Sequence, residues 1–234
     1  MNGTLFLIPT PLGPEGLAWV TPPAVQQRIA KIAYYIVEHP KTARQFLKQI
    51  GCCLPLQKIK MQVLDEHTQP QEYLSFLEPL LADNDVGMLS EAGCPAVADP
   101  GAGLIRLAHQ KDIRVIPLVG PSSIMLALMA SGLNGQRFIF HGYLPIEADA
   151  RVKKIIELEK LSKVHDQTQI FIETPYRNQK LLELLTRTCR NSTDLSIASN
   201  LTLANESIAT KTIKIWKCAL PNINKIPAIF LLHG

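Results

Sequence analysis

The stretch from Val86 to Ser123 constrains the fold of this chain more than any other. It contains two short apolar runs, Val86 to Leu89 and Val115 to Val119, with a helical pattern between them, and a loop of small residues follows each run. Strands that alternate with helices favour a parallel sheet, and ligands bind at the carboxyl ends of such strands. The stretch therefore predicts an α/β fold in which both loops face a ligand. The simpler alternative is that Gly and Pro only mark turns between strands and helices.

The first half of the chain continues this alternation. We predict strands at Thr4 to Ile8, Tyr34 to Val37 and Ile59 to Leu64. We predict helices from Thr21-Pro22-Pro23 to about Lys31, around Arg44 to Leu47 with Gly51 as the closing residue, and from Gln71 to Leu81. Thr21 is expected to cap the first of these helices, and Pro79 to kink or restart the last.

Gly120-Pro121 is the expected joint between two domains, 1–119 and 120–234, because Ser122 or Ser123 can cap a new apolar helix there. The predicted strands of the second domain are 138–141, 169–173, 195–199, 207–217 and 226–232, and its charged or amphipathic helices are 149–161 and 178–188. The last strands have short connections. We therefore expect a mixed second sheet beside a mainly parallel first one.

The bulk properties are those of an ordinary globular enzyme. Of the 234 residues 47% are hydrophobic, and the net charge of +4 permits an anionic partner without requiring one. No basic leader and no apolar run of about 18 residues is present, so a cytoplasmic location is expected. The five cysteines include no C-x-x-C pair and no His at ligand spacing, which predicts free thiols and no metal site. G-x-S-x-G, H-E-x-x-H and P-loop motifs are absent, which argues against the commonest hydrolases and nucleotide-phosphate enzymes.

Several motifs together resemble those of a known family. They are Ser90-Glu91-Ala92-Gly93-Cys94-Pro95 with Asp99-Pro100-Gly101, Pro117 to Ser123, Ile8 to Gly13, and Phe138 to Pro145. In order and spacing they resemble the tetrapyrrole-methylase-like superfamily of S-adenosylmethionine (SAM) dependent methyltransferases, and within it the ribosomal RNA small-subunit methyltransferase I branch. The resemblance extends over most of the chain. It implies two α/β domains with the cofactor in a cleft between them.

The resemblance also implies which residues bind SAM. The implied residues are Pro9, Leu12, Ser90, Glu91, Ala92, Gly93, Val97, Ser122 and Ser123 in the first domain, and Asn200, Leu201, Pro227 and Ala228 in the second. Backbone with few side chains can approach an adenine and a ribose closely. The sulfonium of SAM is already an activated leaving group, so transfer depends mainly on proximity and needs few dedicated acids or bases. No catalytic residue is predicted.

The expected substrate contacts are Glu38, Arg44 and Arg177. The run from Glu173 to Arg177 matches a family motif that ends in an Arg, and Arg177 would face an anionic substrate or the SAM carboxylate. The same run also predicts a helix capped by Thr174, with Pro175 in its first turn. Asp65-Glu66-His67 is compatible either with a general base or with a solvated loop.

Two segments depart from the family pattern. Val37 to Arg44 stands where relatives have A-E-D-T-R-H, lacks an Asp and carries its Arg two places later. Ser199, Asn200 and Leu203 replace the Arg, the first Glu and the Lys of A-R-E-L-T-K. Lys and Arg hold RNA through its phosphates, so these changes predict normal SAM binding with altered choice of acceptor, as in a divergent paralogue.

Together the residues and the resemblance predict a SAM-dependent methyltransferase of ribosomal RNA ribose 2'-hydroxyls that forms a homodimer. Two alternatives stay open: an enzyme of the same fold that methylates a tetrapyrrole or a protein residue, and a SAM-binding module without turnover. A possible RNA-facing surface consists of Arg151, Lys153, Lys154, Lys160 and Lys163, although a solvated helix face also explains these residues.

Overall fold

The structure is a computed structural model that describes residues 2–14 and 17–234. The chain divides into two compact units, one that ends at Ser122 and one from Ser123 to Gly234. Each unit has its own five-stranded sheet. Within these described residues, no helix combines the length and the apolar character that crossing a membrane would require.

The first unit is built on a parallel sheet. Its strands are β1 (Thr4–Ile8), β2 (Tyr34–Val37), β3 (Lys60–Val63), β4 (Val86–Leu89) and β5 (Arg114–Pro117). They lie in the order β3-β2-β4-β1-β5, so β1 is flanked by two strands that come much later in the chain. Because every pair is parallel, the loops that follow the strands leave the sheet at one side, which we call the first carboxyl edge. The predicted parallel sheet is confirmed.

Alternate residues of these strands belong to different apolar clusters. Phe6 and Tyr35 pack in one cluster, and their neighbours Leu5 and Ile36 pack in another. Successive side chains of a strand point to opposite faces, so the sheet is covered on both sides. Burial on both faces explains why the strands appear in the sequence as continuous apolar runs.

Helices connect the strands of the first unit: α1 (Leu17–Val20), α2 (Pro23–Ile29), α3 (Pro40–Ile50), α4 (Tyr73–Leu81) and α5 (Ala102–Gln110). Gly51 closes α3 in the left-handed conformation, at φ 75°. One predicted detail is wrong: the N-cap of α2 is Pro22, while the hydroxyl of Thr21 is buried and has no hydrogen-bond partner in the described part of the chain. The helix α4 does not restart at Pro79 but continues through it to Leu81.

The second unit contains a mixed sheet, as predicted. Its strands are β6 (Phe138–Tyr143), β7 (Thr168–Ile172), β8 (Asp194–Ser199), β9 (Ser207–Thr212) and β10 (Ala228–His233). The order is β6-β7-β10-β8-β9; β6 and β7 pair in parallel, and the other pairs are antiparallel. The helices are α6 (Ser123–Ser131), α7 (Ala148–His165), α8 (Asn178–Thr188) and α9 (Ile213–Cys218).

Two predictions for the second unit are wrong. The single strand 207–217 is instead β9 followed by α9, because the Thr212 side chain accepts a hydrogen bond from the Ile215 N–H and starts a helix. The apolar residues of that run bury one face of a helix, and Trp216 donates its indole N–H to the Leu195 carbonyl at 2.8 Å. Thr174 does not cap a helix either, because α8 begins only at Asn178.

Truncation of Trp216 tests the placement of α9. Trp216→Ala should lower the free energy of unfolding by about 3 to 5 kcal/mol, because a buried aromatic side chain leaves a cavity. Trp216→Phe keeps most of the packing and should cost about 1 to 2 kcal/mol, because the Leu195 carbonyl loses its donor. The exposed neighbour Ile215, changed to Ala, is the control and should cost less than about 1 kcal/mol. Urea denaturation followed by circular dichroism measures all three, and equal effects of Trp216→Ala and Ile215→Ala would contradict the assignment.

Candidate functional site

Three loops of small residues meet at the first carboxyl edge. They follow β1 (residues 9–13), β4 (residues 90–101) and β5 (residues 118–122). Because β1 lies between β4 and β5 in the sheet, its loop has the other two as neighbours. The described geometry thus brings together the first-unit segments that the sequence associates with SAM.

A short antiparallel bridge between Thr10 and Gly93 joins the first two loops. The Thr10 N–H donates to the Gly93 carbonyl at 2.9 Å, and the Gly93 N–H donates to the Thr10 carbonyl at 3.0 Å. The buried Thr10 hydroxyl donates to the Ser90 carbonyl at 3.2 Å, and the Ser90 hydroxyl donates to the Gly93 carbonyl at 3.1 Å. These four bonds fix the backbone of both loops before any ligand binds.

The third loop packs closely on the first two. A Cβ atom on Gly120 would lie 2.6 Å from the Cβ of Pro9, so only glycine permits this approach. The Cys94 thiol donates to the Pro121 carbonyl at 3.5 Å, and Ser122 also hydrogen-bonds to the Cys94 side chain. Burial raises the pKa of the Cys94 thiol, so Cys94 acts here as a small packing residue.

The loop after β4 has an unusual backbone. Gly93 has φ 79°, and Ala96 and Ala98 both have φ 64°. Left-handed conformations are uncommon for residues with a Cβ and cluster at functional sites. The side chains of Glu91 and Val97 are exposed beside this backbone. The loop therefore presents main-chain groups and few side chains, which is the surface predicted for binding a flat ligand.

Carboxylates surround the ends of β2 and β4. Glu38, Ser90 and Asp99 line one narrow pocket there. The pKa of Glu38 is raised mainly by burial and secondly by the charge of Glu91. The pKa of Asp99 is raised to about 6, mainly by burial and secondly by the charges of Glu38 and Glu91. Within residues 2–14 and 17–234, no group of three or more His, Cys, Asp or Glu side chains is arranged to hold a metal ion. A carboxyl group with a pKa of about 6, such as that of Asp99, is suited to holding and moving a proton near neutral pH.

The segment that departs from the family pattern contacts this cluster. The Thr42 hydroxyl lies 2.6 Å from a Glu91 carboxylate oxygen, and His39 Nδ1 lies 3.6 Å from the same oxygen. Arg44 is exposed on α3, two residues after Thr42 and so about 200° around the helix from it. His67 lies in an exposed turn whose Asp65 carboxylate accepts the His67 N–H at 2.9 Å, which fits a solvated loop.

In the second unit the predicted residues lie at one end of the sheet. The Asn200 N–H donates to the Pro227 carbonyl at 3.1 Å, and Ala228 pairs with Ser199 in the ladder between β10 and β8. Leu201 is buried beside them. Ser199 is only 6% exposed and donates its hydroxyl to the Ser207 carbonyl, so this position is an interior strand position. Ser123 lies apart from these residues in the sequence, as the first residue of α6.

Arg177 is held by a buried carboxylate. Its Nε and one Nη donate to a single Glu173 oxygen at 2.9 and 2.6 Å, and the Thr174 N–H donates to the same oxygen at 2.7 Å. The other Glu173 oxygen and the Asn178 side-chain oxygen are buried and have no partner in the described part of the chain. Arg177 is therefore primarily a positioning partner of Glu173, and only its remaining donors are available to an anion.

Sequence reasoning did not place Thr10, Gly120, Asp99 or Glu173 among the site residues. Each lies inside a motif that resembles the family pattern, and that motif was the signal that could have identified it. Their importance depends on contacts between loops far apart in the chain, and hydrophobic periodicity carries no information about such contacts.

No protein-family model matches the chain. Three curated proteins named ribosomal RNA small subunit methyltransferase I do match. The protein from Escherichia coli O157:H7 is 31% identical, and the match covers 88% of this chain and 68% of that protein. The protein from Mesorhizobium japonicum is 30% identical, and the match covers 92% of this chain and 69% of that protein. The protein from Vibrio cholerae serotype O1 is 29% identical, with 98% of this chain and 77% of its own length covered.

The fold also matches a solved structure. The crystal structure of the methyltransferase CobJ superposes with a TM-score of 0.65 over 99% of this chain and 94% of that one, at 16% identity. This likeness confirms the α/β architecture that the resemblance implied.

The raised pKa of Asp99 predicts a pH-dependent effect of Asp99→Asn. The folded protein holds this proton more tightly than the unfolded chain, so the stability contribution is complete below about pH 4 and is lost as the pH rises to about 6. Asp99→Asn should therefore stabilise the protein by about 1 kcal/mol at pH 8, allowing for solvent screening at this half-buried site, and by much less at pH 4. Asp112→Asn, at an exposed carboxylate, is the control. Urea denaturation at both pH values measures the difference, and an Asp99→Asn effect that is equal at both would contradict the expectation.

Proposed function

We propose that this chain, which belongs to the ribosomal RNA small subunit methyltransferase I family, transfers a methyl group from SAM to a ribose 2'-hydroxyl of ribosomal RNA. The names of the relatives support the reaction and the RNA acceptor. The observation that carries the proposal is the cluster of three bare loops, locked by the bridge between Thr10 and Gly93, at the edge of a parallel sheet where ligands bind.

The first-unit loops have the chemistry that SAM requires. When bound, SAM supplies an activated methyl group on sulfur. The loops after β1, β4 and β5 offer backbone groups to its adenosine, and the left-handed Gly93 keeps the approach free of a side chain. In the second unit, the paired segments at Asn200-Leu201 and Pro227-Ala228 belong to the same proposed binding set.

Asp99 and Glu38 are the groups that we assign to the acceptor. A carboxylate whose pKa lies near neutral can accept the proton that a ribose hydroxyl loses on methylation. Burial and mutual repulsion keep this proton affinity high, and the Glu91 charge contributes to both shifts. These residues act beside a reaction that depends mostly on bringing the hydroxyl and the methyl group into line.

Two further properties belong to the proposal. An acceptor in ribosomal RNA implies a cytoplasmic enzyme. We also propose a homodimer, as the resemblance implies; the edge strand β6 carries exposed Phe138, Ile139 and Tyr143 side chains, which suit burial against another surface.

A methyl-transfer assay tests the reaction. The protein with radiolabelled SAM should label small ribosomal subunits assembled from unmodified ribosomal RNA, and nuclease digestion should recover the label as a 2'-O-methylated nucleoside. Label on protein would favour a protein acceptor. SAM binding without any transfer, to these subunits or to a tetrapyrrole, would favour a binding module and contradict the proposal.

Substitution of Gly93 tests the SAM site with an internal control. Gly93→Val should weaken SAM binding at least tenfold in calorimetry, because its side chain would enter the loop surface within contact of Leu12. Gly51 has nearly the same left-handed backbone, φ 75° against 79°, but nothing lies within 4 Å of its would-be Cβ. Gly51→Val therefore has a similar backbone cost of about 1 to 2 kcal/mol without touching the loops. Equal SAM affinity of the two folded variants would place the cofactor elsewhere.

A further inference from the structure

We propose that the exposed face of α3, formed by Lys41, Arg44 and Lys48, is the surface on which the phosphate backbone of the RNA acceptor docks. The inference rests on the proposed function, since it concerns where that substrate binds. Neither the methyl-transfer reaction nor the SAM site explains why this surface is basic.

The three cations lie on one side of the helix. At about 100° per residue, Lys41, Arg44 and Lys48 fall within an arc of about 60° and span about 10 Å along the axis. The buried residues Ala43, Phe46, Leu47 and Ile50 lie on the opposite side. Gln45 and Gln49 flank the cations, are also exposed, and can donate hydrogen bonds to phosphate oxygens.

The charges of these three cations have no acidic partner within residues 2–14 and 17–234. The helix α3 contains no Asp or Glu. In the described part of the chain, no carboxylate forms an ion pair with Lys41, Arg44 or Lys48. Exposed cations without an acidic partner favour binding of a polyanion, because each phosphate contact releases condensed counterions.

The position of α3 connects this face to the reaction. The helix starts right after β2, at the first carboxyl edge, and its Thr42 contacts Glu91 in the loop after β4. Glu38, which precedes the helix, lines the pocket with Asp99. Lys41, which is adjacent to Thr42 in the first turn, is the cation of this face nearest in the chain to the pocket, so a phosphate bound there would hold a neighbouring ribose towards the proposed proton acceptors.

The other basic helix fits this role less well. Arg151 on α7 donates to the carbonyls of Pro145 and Ile146 at 2.7 Å each, and Lys154 is paired with Glu157 at 2.9 Å. Arg151 and Lys154 are thus held by contacts within the unit, whereas Lys41, Arg44 and Lys48 form no ion pair in the described part of the chain. We therefore prefer the α3 face, which also follows the strand that ends beside Glu38.

The experiment compares two triple variants with equal loss of charge. Lys41→Gln/Arg44→Gln/Lys48→Gln removes the α3 face. Lys31→Gln/Lys111→Gln/Arg114→Gln, the control, removes exposed cations that lie before β2 and around the start of β5, at the opposite edge of the same sheet. Affinity for transcribed small-subunit ribosomal RNA is measured at several salt concentrations, and SAM affinity is measured by calorimetry.

The α3 variant should bind the RNA about 100-fold more weakly at 0.1 M salt, with a salt slope smaller by about 2 to 3, since each phosphate contact contributes about 0.7 to 0.9. SAM affinity should be unchanged, and the control should lose less than about fivefold. Equal losses in both variants would show a general charge effect and overturn the inference, as would full RNA affinity of the α3 variant.

These results are distinguishable from failure of the proposed function. If the wild-type protein methylates the RNA and the α3 variant binds the RNA with unchanged affinity, the proposed reaction is supported and the proposed docking surface is refuted. A wild-type protein that binds SAM but transfers no methyl group refutes the reaction. If the triple variant does not fold, Arg44→Gln alone decides, with an expected decrease of about 0.8 in the salt slope.

Discussion

The geometry of the candidate site depends on the reciprocal hydrogen bonds between Thr10 and Gly93. Without them, the loops after β1 and β4 would be two independent turns, each free to move at the end of its strand. With them, the two turns form a miniature antiparallel bridge across the ends of parallel strands. A ligand that binds to main-chain groups needs those groups fixed in advance, because loop ordering would otherwise consume part of the binding energy.

Close backbone approach accounts for the composition of these loops. Gly120 is required where Pro9 packs against the third loop, and Gly87 is required inside β4, where a Cβ would meet Ile8 and Tyr35 at 2.7 Å. Small residues thus serve two physical purposes here: some admit neighbouring protein and others leave room for a ligand. Sequence alone cannot separate these purposes, since both select glycine and alanine.

The sequence predicted the elements better than it predicted their ends and contacts. Buried runs such as Thr4 to Ile8 are long and apolar enough to define a strand, and Gly51 marks the end of α3 through its backbone freedom. The run from Ser207 to Lys217 was predicted as one strand because of its strand-like composition. It is a strand followed by a helix, because Thr212 in its middle caps α9. The prediction from Ser199 is weakened for another reason. Relatives have an Arg at this position, but Ser199 is buried in this chain, so the substitution reflects strand packing as much as acceptor choice. The roles of Asp99 and Glu38 depend on burial and proximity, which only the folded chain defines.

The strand order of the first unit has a consequence for synthesis of the protein. The strand β1 is apolar and central, yet its partners are β4 and β5, and Thr4 pairs with Arg114. At about 5 to 20 residues per second, the ribosome needs on the order of 5 to 20 s to produce the last partner after the first strand emerges. During that interval the nascent chain exposes an unpaired apolar strand, and such long-range parallel pairing is intrinsically slow to form. The first unit therefore cannot complete its sheet until Pro117 has been made, and until then β1 lacks one of its two partners.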